Sequence, residues 1–230
     1  MVDKDFKEMT ISTYEFDRYR EEESALVSTE NIVLDPNFQK SISDDSVAYY
    51  VESLIPICKP AEIKNVIKLL KTKDKDLCRK YLQAFWVNST GNQQVYEKWL
   101  EYKFQVQLVE KLYATNFMSG YETDRGRVYL QYGPPNNIIT KEVSSTETPY
   151  EVWRYDKILN MSNRKFIFYN PDLTNNAYRL LHSDVRGEVQ NLRWQQYLQK
   201  RGSHNTDAYD DGDGVNDFFG GQGNELFNQY

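Results

Sequence analysis

Cysteine and histidine are scarce in this chain, with two of each in 230 residues, and long apolar runs are missing altogether. A membrane-spanning helix needs about 20 consecutive apolar residues, and no run approaches that length. The N-terminus has no apolar segment of the kind a signal peptide requires. Cys58 and Cys78 flank one predicted helix, and neither has a histidine or a second cysteine close by, so no metal site can be built on them. Their even count permits a disulfide, but spacing alone cannot fix the geometry of a bridge, and two buried thiols in a helical layer are an equally good reading. The last 29 residues, 202–230, have no lysine or arginine against six acidic residues. No arginine-rich or aromatic-interleaved nucleic-acid module is present either. The eight basic and three acidic residues from Lys59 to Lys80 therefore read as the solvated outer faces of helices. Nucleic-acid binding there is the weaker reading and would fall steeply with salt.

What the chain does contain is unevenly distributed. Its net charge is −6, yet residues 1–53 hold five basic and 13 acidic side chains, while residues 54–201 hold 23 basic and 15 acidic. A basic centre thus lies between two acidic ends. Either the ends fold back on the centre or are simply solvated, or the centre meets an acidic partner to which the ends control access. Aromatic residues make up 14% of the chain, with 18 tyrosines and four tryptophans, enough for many half-buried rings and interfaces. The expected organisation is an extended acidic arm or linker over 1–40, a folded domain over 41–200 and an aromatic-bearing acidic tail over 201–230.

Within the domain, Ser43-Asp44-Asp45 is expected to cap a short helix through Val47, Tyr50, Val51 and Leu54, stopped by Pro56 and Pro60. Ile63, Val66, Ile67 and Leu70 define the inner face of a second helix and Lys64, Lys68 and Lys71 its outer face; Asp76 is expected to cap a third. The longest helix is predicted over about 93–118. Its two apolar stripes, Val95-Trp99-Tyr102-Val106-Val109-Tyr113 and Leu100-Phe104-Leu108-Leu112, imply burial on more than one side. Alternation then predicts strands at 127–132, 150–155, 165–169 and 178–182, with a long polar loop over 136–148 and a final helix over 191–199. Short turns between the last three strands make the sheet an antiparallel meander. The fold class is α+β, with N-terminal helices and one long central helix packed on a small antiparallel sheet.

The chain is organised around Gly120-Tyr121-Glu122-Thr123-Asp124-Arg125-Gly126, followed by Gly133-Pro134-Pro135 and by Glu151-Val152-Trp153. These residues resemble the signature of the GWxTD-domain family of bacterial envelope proteins over about the last two thirds of the chain. Tyr121 stands where the family has tryptophan. The resemblance implies a periplasmic or outer-membrane-associated location, in which Met1 begins a piece of a longer exported precursor with further domains upstream. It assigns no reaction to the signature positions and implies no cofactor.

Three groupings invite a chemical reading. His182-Ser183-Asp184 has the residue types of a catalytic triad, but neighbours on an extended segment point to opposite faces and cannot converge. Asp211-Gly212-Asp213-Gly214-Val215-Asn216-Asp217 is rich in aspartate, but neither glycine frame places acidic ligands at the first and twelfth positions of a calcium loop. Asp124, Arg125, Arg127, Glu151 and Arg154 concentrate charge on neighbouring elements. In the structural reading Asp124 caps the turn and the arginines pair with Glu151 and the acidic ends; in the functional one two arginines offer a fork to a carboxylate or phosphate beneath the 136–148 loop. The sequence therefore predicts a non-catalytic interaction and assembly module that contacts other envelope proteins or upstream domains of its own precursor. The tail residues Phe218, Phe219, Leu226, Phe227 and Tyr230 are expected to dock on the core or on a partner. The alternative is a hydrolase-like enzyme using Asp124, Glu151 and His182 in a common cleft.

Overall fold

The computed structural model describes residues 32–90, 94–142, 147–173 and 176–199. Within them, helices α1 (Pro36–Ser41), α2 (Val47–Glu52), α3 (Pro60–Thr72), α4 (Lys75–Thr90) and α5 (Val95–Tyr113) come first. A 3-10 turn over Gly120–Glu122 leads into α6 (Asp124–Tyr132), and the strands β1 (Asn137–Lys141), β2 (Tyr150–Ile158), β3 (Met161–Tyr169) and β4 (Arg179–Ser183) follow before a short α7 (Trp194–Leu198). The sheet is an antiparallel meander in the order β1-β2-β3-β4. The α+β class with a small antiparallel sheet is therefore as expected, and three of its four strands lie where alternation placed them.

Each face of the sheet buries a different set of side chains, as the two-residue period of a strand requires. Trp153, Tyr155, Phe166 and Phe168 join the main core with the helices, including Trp99, Val106 and Val109 of α5 and Val128 of α6. Tyr150, Val152, Ile167 and Leu181 face the other way and are covered by Trp194 and Leu198 of α7. A bulge between Ile167 and Phe168 sets Ile167 opposite His182 and Phe168 opposite Leu180. α7 is fastened to the sheet by the Thr148 N–H and hydroxyl, which both donate to the Leu198 carbonyl at 2.8 and 3.1 Å.

Several elements differ from their sequence prediction. Residues 127–132 are the body of α6, not a strand. The run Arg-Val-Tyr-Leu-Gln-Tyr alternates by polarity, but the Thr123 hydroxyl accepts the Gly126 N–H at 3.1 Å and starts a helix that buries Arg125, Val128, Tyr129 and Leu130. β1 lies inside the stretch read as a loop. It is an edge strand with mostly exposed side chains, so it has little apolar pattern to betray it. α1 falls within the expected arm, and its buried Phe38 shows that the folded unit begins before residue 41.

Cap positions differ as well. Asp74, not Asp76, caps α4 by accepting the Leu77 N–H at 3.0 Å, and no side chain caps α2, whose N-cap position is Ser46. α5 ends at Tyr113, seven residues before Gly120, and α7 is shorter than the predicted final helix. The second stripe of α5 is not fully buried: Leu100, Phe104 and Leu112 are 41%, 67% and 44% exposed. Cys58 and Cys78 are free thiols, so no bridge joins them. Burial pushes the Cys58 thiol up to about 12.

Candidate functional site

The densest polar arrangement in the described residues is the junction of α5, the 3-10 turn, α6 and the sheet, where the signature residues meet. Two glycines make the approach possible. A Cβ on Gly120 would lie 2.5 Å from the Val109 carbonyl oxygen, and one on Gly126 would lie 1.8 Å from the Gly120 carbonyl oxygen. Any side chain at Gly126 would drive α6 off the turn. The N–H of the buried Gly120 is taken by Glu110 Oε2 at 2.6 Å, and the same oxygen accepts the Tyr49 hydroxyl at 2.9 Å. Ser119 and Glu122 form a reciprocal capping box on the turn. The Thr123 hydroxyl donates to the Gly120 carbonyl at 2.7 Å while it caps α6.

Tyr121 is buried edge-to-face against Tyr49, with ring centroids 5.3 Å apart, and its hydroxyl donates to Glu52 Oε2 at 2.7 Å. Burial and the neighbouring Glu52 carboxylate both push the Tyr121 phenol well above its ordinary range. Asp124 does not cap its own turn; its Oδ2 accepts the Leu180 N–H at 2.7 Å and ties the start of α6 to β4.

Arg125, 4% exposed, is held through both terminal nitrogens and by two aromatic rings, while its Nε is buried without a hydrogen bond among the described residues. Its Nη1 donates to Glu151 Oε1 at 2.8 Å, its Nη2 donates to the Asn176 carbonyl at 3.0 Å and also to Asn176 Oδ1, and its guanidinium lies 4.2 Å from the Tyr178 ring centroid and 5.0 Å from that of Tyr113. Glu151 uses its second oxygen to accept the Trp153 indole N–H at 2.9 Å. Asn176 donates in turn to the Leu112 and Ala114 carbonyls at the end of α5, at 2.9 and 3.0 Å. Arg127 pairs with Glu188 rather than Glu151, in a two-pronged contact of 2.9 and 2.7 Å that also receives the Tyr132 hydroxyl at 2.7 Å. Gly133 turns the chain out of α6 at φ 85°, and its carbonyl accepts the Tyr155 hydroxyl at 2.9 Å; Pro134 and Pro135 then carry it towards β1.

A family profile for the GWxTD domain matches residues 29–200, three quarters of the chain and all of its described part. The chain belongs to the GWxTD-domain family. Among curated proteins and solved structures nothing matches it. In this GWxTD domain the polar signature groups are joined to one another and to neighbouring elements: both terminal nitrogens of Arg125 and of Arg127 are spent on internal acceptors.

The three residues proposed for a hydrolytic cleft are not brought together. Glu151 lies on the helix-covered face of the sheet with Trp153, whereas His182 lies on the α7 side, stacked on Trp194, where its Nδ1 accepts the Asn191 N–H at 3.1 Å. Burial lowers the His182 imidazole below its ordinary value. Ser183 and Asp184 are likewise engaged with the β3 backbone, at the Lys165 carbonyl and the Lys165 N–H, each at 2.8 Å. Among the described residues no group of three or more His, Cys, Asp or Glu side chains could hold a metal ion, and no helix is long and apolar enough to cross a membrane. Phe218, Phe219, Leu226, Phe227, Tyr230 and the aspartate-rich 211–217 run lie outside the described residues.

Sequence reasoning missed Asn176, Glu188, Glu110 and Glu52 as members of this junction. Each is an isolated polar residue whose partner lies far away in the chain, 61 residues for Glu188 with Arg127. A local pattern cannot announce such a contact.

Proposed function

We propose that this GWxTD domain is a non-catalytic interaction and assembly module, the C-terminal part of a larger exported protein acting at the periplasmic face of the outer membrane. The envelope setting rests on the resemblance set out above. The interaction reading is carried by α5: a helix tied into the core by Trp99, Tyr102, Val106 and Val109 exposes Leu100, Phe104 and Leu112 along a row of four-residue steps, in which Leu108 is partly buried against the core. Apolar side chains in a row on a surface helix are the kind of patch through which an amphipathic partner docks. The signature residues serve the fold beneath that row, since their polar groups hold the end of α5, α6 and the sheet in one arrangement.

The test is recovery of the full-length protein from gently solubilised envelopes of its native host, followed by mass spectrometry of what accompanies it. A stoichiometric envelope protein should come with the wild type and be lost from a Leu100→Ser, Phe104→Ser, Leu112→Ser variant of unchanged thermal stability. Recovery of a lone monomer would overturn the reading. A partner retained by that variant but lost from a Phe218→Ala, Phe219→Ala, Leu226→Ala, Phe227→Ala variant would move the contact to the tail.

A further inference from the structure

Most charged side chains of α5 are already committed. Lys98 pairs with Glu101 at 2.7 Å, Lys103 donates to the Ser41 carbonyl at 2.7 Å, and Glu110 is taken up by Gly120 and Tyr49. Glu97 and Lys111 are exposed, and neither enters an ion pair among the described residues. They bracket the apolar row, since Glu97 stands seven residues before Phe104 and Lys111 seven after it. Seven residues are close to two helical turns, and this is the period that keeps a seam facing a second helix when the two cross at about 20°. One face of α5 therefore carries a negative charge towards its N-terminus and a positive charge towards its C-terminus. Between them lies Phe104, 67% exposed, with Leu100 and Leu108 one turn to either side.

Such a face complements itself in one orientation. Laid antiparallel on α5 of a second copy with the two-fold axis at Phe104, Leu100 falls beside the partner's Leu108 and Glu97 beside the partner's Lys111. The symmetry makes each of these contacts twice. Parallel helices would instead set Glu97 against Glu97 and Lys111 against Lys111, like charge against like. A helix of another protein would need the matching charge order independently, whereas a second copy has it by symmetry. We propose that α5 is the two-fold interface of a homodimer, antiparallel and centred on Phe104. This rests on the reading of the apolar row as a docking surface and names its occupant. The envelope protein is then met by the pair, and its loss from the row variant reports loss of the pair.

Sedimentation equilibrium of the full chain tests the pairing. One helix face is small beside the roughly 800 Å² per partner of a standard interface, so the useful range is about 5 to 500 μM. Across it the weight-average mass should rise from 27.2 kDa towards twice that value and stop there. Phe104→Ser, at a residue too exposed to endanger the fold, should weaken association by about tenfold or more. Glu97→Lys and Lys111→Glu should each weaken it about tenfold, because either reversal opposes like charges at both ends of the pair. Combined, they should recover to within about threefold of the wild type. Unchanged thermal stability of each variant is the control for folding. A mass of 27.2 kDa throughout would overturn the dimer while leaving the interaction reading to the envelope recovery. A dimer indifferent to Phe104→Ser would place the contact elsewhere, and a double reversal no tighter than the single ones would refute the antiparallel register. A dimer that behaves as stated but brings no envelope protein with it would uphold the pairing and count against the assembly reading alone.

Discussion

Arg125 is a buried guanidinium whose contacts come from three separate parts of the chain: Tyr113 at the end of α5, Glu151 on β2, and Asn176 and Tyr178 before β4. Replacing it by alanine leaves Glu151, whose side chain is only 12% exposed, without its counter-charge, and an uncompensated buried charge costs about 3–5 kcal/mol. Arg125→Ala should lower the unfolding free energy in urea by about that amount. Arg125→Lys should recover little of it, because one ammonium cannot serve Glu151 and Asn176 together while lying between two rings. A loss below about 1 kcal/mol for the alanine variant would refute this account of the signature arginine. Glu188 makes the matching pH prediction. Burial alone would raise its carboxyl, but hydrogen bonds from Arg127 and Tyr132 and the Arg127 charge outweigh burial and hold it below the ordinary 4.5. The folded state thus binds this proton less tightly than the unfolded chain does. The stability it contributes is fully present above about pH 4.5 and is lost as pH falls through the lower, folded value. Glu188→Gln should therefore be less stable at neutral pH and show a shallower acid slope below pH 4.5 when unfolding is measured from about pH 7 to pH 3. An unchanged acid slope would show that the carboxylate does not titrate with folding.

At the scale of elements, the junction of α5, the 3-10 turn and α6 depends on backbone contact that only glycine allows. A Cβ at Gly126 would sit 1.8 Å from the Gly120 carbonyl, which is backbone and cannot swing aside. Although alanine is the better helix former by about 1 kcal/mol, Gly126→Ala should destabilise the domain by about 3 kcal/mol or more, as overpacking does where nothing can yield. Thermal unfolding checks the sign: a gain in stability would mean that α6 stands further from the turn than described. The same junction shows why sequence reasoning succeeded in some places and not in others. The long apolar periods of α3 and α5 and the alternation of β2 to β4 report burial directly, so those elements were legible. In α6 the period is short enough to pass for alternation, and Gly126 reads as a breaker until the close approach that requires it is known. β1 pairs on one side only and buries little, so its residues resemble a loop. The Arg125–Glu151 pair was foreseeable as a concentration of charge, whereas Asn176 joins Arg125 across 51 residues and has no local signature.

For the molecule as a whole, the sheet separates a large core on one face from a small one on the other, and the second depends on α7. With five residues, α7 is far below the roughly 12–15 at which a helix persists alone, so it exists because Trp194 and Leu198 insert against Tyr150, Val152, Ile167 and Leu181. Truncating a buried tryptophan costs about 3–5 kcal/mol when the surroundings cannot close around the space. Trp194 anchors only the small cluster, so the cheaper response is for α7 to leave the sheet while the main core stays folded. In Trp194→Ala, amide protection should fall across 194–199 and along β4, where His182 loses the ring it stacks on, while α4 and α5 keep theirs. The uncovered face would present Tyr150, Val152, Ile167 and Leu181 to solvent, so the variant should also associate as its concentration rises. Equal loss of protection in α5 and α7 would show that the two clusters unfold as one unit, and that the sheet transmits rather than insulates a defect on its smaller face.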